Sequence, residues 1–283
     1  MRISCRLEML PGESVAQQVA NAQRYGFDGI GLPGRHLEHY LAELEAVLPD
    51  LPVPPMSLSL GFTGSLLHPE EGERRRCRDS LRSLMDVCAR LKVSLLNVPP
   101  VLIQDNPVRI TEAGDYRSVA ARQDALLLDQ LGELGDEAQA RGVSLLLEPV
   151  NRFESDYLNF IEHGARLCEL VGHEAVGMTI DAYHMQLEEL SFERPIQNAG
   201  RYVRHVHVAE NTRAEPGTGS LHLASMFRGL QRIGYDDWIE VECRSLSGPG
   251  DEVLPRSVRY LRETWASSDI FANRDGAMSR PRF

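Results

Sequence analysis

A chain of 283 residues with 42% hydrophobic content is long enough to bury a sizeable core of its own. Acidic residues outnumber basic ones by 41 to 30, a net charge of −11, which argues against a nucleic-acid binder or a surface drawn to anionic lipid and leaves room for a cation site. Lys92 is the only lysine, and it precedes an apolar run where a strand should start rather than end, so Schiff-base chemistry has no well-placed residue.

In chain order, strand-like runs at 3–8, 29–32, 56–61, 94–99, 143–149, 176–181, 203–208 and 238–243 alternate with helical patterns. The helical stretches cover 14–25, 36–48, 70–90, 119–140, 161–171, 188–198, 221–233 and 251–266. Ala125, Leu128, Leu131 and Leu134 recur three residues apart, as one face of a helix requires. Gly26, Gly142 and Gly234 each stand just past a helix and before a strand, the place of a C-terminal cap. Eight strand–helix pairs in series, with no linker, predict a single-domain (β/α)8 TIM barrel over 1–266. A doubly wound sheet fits less well, because no Gly-x-Gly-x-x-Gly follows the first strand and no break in composition divides the chain. Residues 267–283 are polar and aperiodic and read as a C-terminal extension.

The five cysteines are scattered, with no Cys-x-x-Cys pair, so neither a disulfide frame nor a zinc knuckle is expected and a reducing compartment is the default. The first residues are too short and too interrupted for a signal peptide, and no apolar run reaches the roughly 18 residues of a membrane span. These features predict a cytoplasmic protein with no membrane and no nucleic-acid partner.

In a barrel of this kind the chemistry sits at the C-terminal ends of the strands. The last four strands finish on Glu148, Asp181, His207 and Glu242, spaced 33, 26 and 35 residues (148 to 181, 181 to 207, 207 to 242). One such residue reads as a solvated rim charge. Four in succession, each about one strand–helix unit from the last, would converge on one rim, and three carboxylates there repel one another unless a cation intervenes. Three oxygens and one imidazole nitrogen suit one hard divalent ion, Mn2+ first, with Mg2+ or Co2+ as alternatives.

The surrounding phrases are more specific. They are Glu148-Pro149-Val150-Asn151-Arg152-Phe153-Glu154, Asp181-Ala182-Tyr183-His184-Met185, His207-Val208-Ala209-Glu210-Asn211-Thr212-Arg213, and Ile233-Gly234-Tyr235-Asp236-Asp237 leading into Glu242. Together they resemble the xylose isomerase-like sugar isomerase/epimerase superfamily, most closely its D-tagatose/D-psicose 3-epimerase (ketose 3-epimerase) branch. The resemblance is carried by residues 140–245 and is architectural in the first half. It implies Glu148, Asp181, His207 and Glu242 as metal ligands, Glu148 and Glu242 as the catalytic acid/base pair, and Glu154, His184 and Arg213 as contacts to substrate oxygens. It also implies a small-molecule sugar as partner, and a homodimer or homotetramer that no exposed apolar stripe demands. Gly31 departs from the pattern, since many relatives carry a glutamate at the end of strand two.

The activity this implies is metal-dependent ketose 3-epimerisation by proton transfer through an enediolate, with a metal-bound carboxylate offering its second oxygen to the proton. A hydroxypyruvate-type isomerase and an inosose-type dehydratase are alternatives on the same ligands, and a sugar-binding regulatory barrel is the non-enzymatic one. Three further features need an account. His205 and Glu240 should face inward one layer below the site, with Glu240 hydrogen-bonded, His205 being one partner available to it. Residues 247–251 could bind phosphate or simply cap a helix. Arg74, Arg75 and Arg76 read as a salt-bridged helix face.

Overall fold

The computed structural model describes residues 1–103 and 115–268. Eight parallel strands close into a barrel in chain order: β1 (Arg2–Arg6), β2 (Gly29–Pro33), β3 (Pro55–Ser59), β4 (Leu95–Val98), β5 (Ser144–Leu147), β6 (Val176–Asp181), β7 (Val203–Val208) and β8 (Trp238–Val241). The ring closes where Ile3 pairs with Ile239 and Ser4 with Glu240. The helices are α1 (Val15–Tyr25), α2 (Glu38–Val47), α3 (Glu71–Leu91), α4 (Tyr116–Ala140), α5 (Ile161–Val171), α6 (Ala182–Glu188), α7 (Glu193–Ala199), α8 (Leu223–Arg232) and α9 (Gly250–Ser267).

Strand alternation builds two interiors. Leu96, Val98, Leu145 and Leu147 belong to the large cluster between strands and helices, whereas Leu95 and Leu146 join Met56 and Trp238 in a separate small one. Neighbours in sequence thus face opposite sides of the sheet, as a period of two demands. The small cluster plugs the lumen. A Cβ on Gly29 would stand 2.7 Å from the Trp238 ring, so glycine is needed there for the indole to enter. The rest of the lumen is polar: Ser4, Ser57, Ser59, Asn97, Thr179, His205 and Glu240 are all buried.

Gly26, Gly142 and Gly234 take positive φ at their helix ends, as expected. Lys92 caps α3 at φ 58°, on the N-terminal side of β4, the end of the strand opposite the catalytic rim. One expectation fails: the helix expected over 188–198 forms only as α7 from Glu193, and a separate helix, α6, precedes it and ends at Glu188. Asp181 starts α6 early by accepting the Tyr183 N–H at 2.7 Å. Pro195 forbids one continuous helix, because its ring would clash with the carbonyl of residue 191, and α7 begins only at Glu193. The extension expected over 267–283 lies outside the described residues except for Ser267 and Ser268. Among the described residues, no helix is long and apolar enough to cross a membrane.

Candidate active site

Asp181 ends β6 and His207 is the penultimate residue of β7, directly paired with it. Glu148 and Glu242 stand one residue beyond β5 and β8, but their N–H groups still donate across the ladder to Val98 and Val208 at 3.3 and 3.1 Å. All four therefore lie on one rim. Each offers a ligand atom within 4.8 Å of the other three. His207 Nδ1 stands 3.2 Å from Glu148 Oε1 and 3.3 Å from Glu242 Oε2.

Each carboxylate turns one oxygen inward and has the other held from outside. Asn97 donates to Glu148 Oε2 at 2.7 Å, the Tyr183 N–H to Asp181 Oδ1, and Arg6 to Glu242 Oε1 at 2.7 Å. The second oxygens of Glu148 and Glu242 are therefore not free, as the sequence suggested, but each retains a further lone pair.

Arg213 bridges two inward oxygens, donating to Asp181 Oδ2 at 2.5 Å and Glu242 Oε2 at 2.6 Å while its guanidinium lies 4.6 Å over the Tyr183 ring. It sits at φ 60°, in a turn closed by its N–H to the Glu210 carbonyl. An arginine in that region costs about 1–3 kcal/mol, strain the surrounding bonds must hold. The buried Glu210 supplies them, accepting the N–H groups of Gly217 and Leu221.

Electrostatics follow from burial and neighbours. Burial opposes ionisation of Glu242, but His207, Arg213 and Arg6 outweigh it and hold its pKa well below the usual range. Asp181 is lowered likewise, with Arg213 and His184 outweighing burial. For His207, burial favours the neutral ring, yet Glu242 and Glu148 push its pKa well above the ordinary value. Arg213 and Arg6 stay charged despite burial, held by Asp181 and Glu242 and by Glu8 and Glu242 respectively.

His184, in the first turn of α6, accepts at Nδ1 from the Asn151 side chain at 2.7 Å and its N–H at 3.3 Å. Its proton is thereby on Nε2, which points to Asp181 Oδ2 at 3.7 Å. Glu154 is not part of the four-residue cluster. It reaches the site through Asn151, which donates to Glu154 Oε1 at 3.0 Å as well as to His184. Sequence reasoning passed over Arg6, Asn97 and Asn151; only Asn151 lay in a quoted phrase, so it alone carried a signal.

Two cavities open beside this cluster and share Arg35 and Leu60. The larger, about 450 Å3, is lined by the loops after β3 and β4, including Phe62, Thr63, Pro99 and Pro100. The smaller, about 240 Å3, is walled by Arg6, Glu8, Tyr40 and Ser59. The loop at 247–251 offers no free anion cradle, because Glu215 accepts both the Ser247 hydroxyl and, at 2.9 Å, its N–H. Arg74 and Arg76 pair with Glu71 and Glu73, a salt-bridged helix face as expected.

Comparison with known proteins places the fold. L-ribulose 3-epimerase of Mesorhizobium japonicum is 34% identical over 142 residues, 50% of this chain and 48% of that protein, so the chain spans about half the length of that relative. 3-Dehydro-D-guloside 4-epimerase of Escherichia coli is 22% identical over 262 residues, covering 93% of this chain and 99% of that one. The solved structure of an L-ribulose 3-epimerase superposes with a TM-score of 0.80 at 22% identity, covering 99% of both chains, a likeness of fold. A sequence model of the xylose isomerase-like TIM barrel matches residues 19–264. The chain belongs to the xylose isomerase-like TIM barrel family.

Proposed function

We propose that this protein is a sugar epimerase that inverts a carbon beside a ketone by proton transfer, with carbon 3 of a free ketose as the reacting centre. The observation that carries the reading is the approach of Glu148 and Glu242, from strands three apart in the ring, to within 3.2 and 3.3 Å of the same atom, His207 Nδ1. The names of the similar proteins support it. A ketose 3-epimerase and a 3-dehydro-glycoside 4-epimerase both invert a carbon adjoining a ketone.

The donors fit a hard divalent cation, Mn2+ first and Mg2+ or Co2+ next: three carboxylate oxygens and one imidazole nitrogen converge, no thiolate joins them, and the carboxylates' other oxygens are held back. Glu148, Asp181, His207 and Glu242 would hold it, and once bound it would stabilise negative charge growing on the substrate oxygens. One of Glu148 and Glu242, as the carboxylate, removes the α-proton with the spare lone pair of its outer oxygen, and the other, having first taken a proton from solvent, gives that proton to the opposite face. General acid–base work of this kind contributes roughly 10^2–10^4-fold. Arg213 and the Nε2–H of His184 are donors for the substrate's carbonyl and hydroxyl oxygens, and Glu154 is an acceptor for a hydroxyl. The two cavities offer room for the rest of a small sugar.

Incubating Mn2+-loaded protein with D-fructose or D-tagatose in D2O tests the reading. Deuterium at carbon 3 with inversion there is expected. Deuterium at carbon 1 or 2 would make it an isomerase, loss of water a dehydratase, and no exchange a binding protein. A parallel incubation with a 3-keto-glycoside separates 3- from 4-epimerisation, the reading favoured by the full-length match to the Escherichia coli relative.

A further inference from the structure

Eight unpaired polar atoms gather in the lumen just below the site, on six strands: Arg6 Nε, Ser59 Oγ, Asn97 Oδ1, Thr179 Oγ1, both His205 ring nitrogens, His207 Nε2 and Glu240 Oε1. Buried polar atoms without partners are uncommon, and a cluster of them calls for an explanation. At its centre is Glu240, fully buried on β8 and paired in register with His207. Its Oε2 accepts the Ser57 hydroxyl, and His205 Nε2 lies 3.3 Å away without the direction of a hydrogen bond. Its Oε1 stands 3.9 Å from both His207 Nε2 and Arg6 Nε. The expected partner, His205, is thus a neighbour, while the second histidine to which Glu240 turns an oxygen is His207.

A neutral imidazole has one proton for two nitrogens. His207 can present a lone pair at Nδ1 only if that proton is on Nε2, and whatever faces Nε2 decides the matter. The other three residues of the cluster each have an outer atom fixed by a donor, Asn97, the Tyr183 N–H or Arg6. For His207 the carboxylate on that side is Glu240, whose Oε1 faces Nε2 at 3.9 Å, close enough to bias the proton but beyond direct hydrogen-bond distance. Gly31 makes this approach possible: a Cβ there would fall 2.3 Å from Glu240 Oε1. The absence of a side chain on β2 and the presence of a glutamate on β8 are therefore one feature.

We propose that Glu240 is a positioning residue of the cation site, acting through His207 by keeping its proton on Nε2 and its lone pair on Nδ1, with Gly31 as the gap that admits the carboxylate. The inference rests on the reading of Glu148, Asp181, His207 and Glu242 as cation ligands. Partners of metal-bound histidines of this kind typically change metal affinity 10–100-fold when removed.

The test combines Mn2+ binding, followed by the signal of the free ion in electron paramagnetic resonance, with 15N-histidine NMR of the Mg2+-loaded protein. In wild type, one ion should bind and the His207 Nε2–H should appear downfield, as a proton facing a carboxylate does. Glu240→Gln and Glu240→Leu should weaken Mn2+ binding 10–100-fold and move that proton upfield, with far-UV circular dichroism unchanged. A carboxylate that only braces the lumen would lower thermal stability and leave both readouts alone, overturning the proposal while the cation reading stands. Two ions in wild type and one in Glu240→Leu would make Glu240 a ligand instead, which also overturns it. A wild-type His207 without a proton on Nε2 overturns it even if neither variant folds. No binding of Mn2+ or Mg2+ to wild type removes the cation reading and this inference together.

Discussion

The two halves of the barrel treat their rims differently. Strands β5 to β8 end in Glu148, Asp181, His207 and Glu242, groups that can ligate a cation or carry a proton. Strands β1 to β4 place Arg6, Ser57, Ser59 and Asn97 in the same lumen, and three of these hold residues of the other half: Arg6 holds Glu242, Asn97 holds Glu148, and Ser57 holds Glu240. One half bears the reactive groups and the other supplies holders to Glu148, Glu240 and Glu242, while Asp181 is held from within its own half by the Tyr183 N–H and Arg213. Reactive groups must be of particular chemical types, whereas a holder need only present a donor at the right point.

The largest effect should come from the reactive half. Glu148→Gln or Glu242→Gln keeps the shape and removes the base, so deuterium incorporation at carbon 3 should fall 10^2–10^4-fold. Retained Mn2+, read by metal analysis, should fall as well, since an amide is a poorer ligand for a hard cation. Equal exchange in either variant would remove that residue from the proton path.

Smaller losses are expected from the holding half. Arg6→Met frees Glu242 Oε1 of its charged donor and should lower kcat/KM and Mn2+ affinity about 10–100-fold. Asn97→Ala takes an uncharged donor from Glu148 Oε2, whereas Arg6 brings Glu242 a full positive charge as well as its hydrogen bond, so the loss at Asn97 should be nearer tenfold. If Asn97→Ala proved as damaging as Glu148→Gln, the division between reactive and holding halves would be wrong. No effect of Arg6→Met would show that Arg213 and His207 suffice to orient Glu242.

The same division explains what could be read in the sequence. The (β/α)8 order was legible because the hydrophobic period switches between two and about 3.6 along the whole chain, and the four rim residues were legible because one strand–helix unit separates each from the next. Arg6 and Asn97 were not legible, because the same duty is met by a guanidinium, an amide or, in the case of Asp181, the backbone N–H of Tyr183. A role that many groups can fill leaves no residue pattern. The break between α6 and α7 was legible in Pro195, but the apolar pattern of 188–198 concealed it. The cavity walls depend on backbone choices such as the positive φ of Leu60, which residue types do not reveal.

The halves should not differ in their scaffold, and an alkaline titration can check this as the smallest effect. Cys77 and Cys88 on α3 and Cys168 on α5 are packed in the same shell between strands and helices, and burial pushes each thiol from 9.0 up to about 12. A raised pKa in the folded state means that the unfolded chain loses its protons first. The stability these thiols contribute is therefore complete below about pH 9 and is lost as pH rises toward 12. Between pH 8 and 10 the expected loss is about 1 kcal/mol per thiol, read from urea denaturation. The buried Tyr157 and Tyr235 are raised as well and act in the same direction at higher pH. Native-state alkylation at pH 8 should be slow at all three cysteines alike. Faster reaction at Cys77 and Cys88 than at Cys168 would mean that the first half opens more readily, and the contrast between halves would then reach below the rim into the packing of the barrel itself.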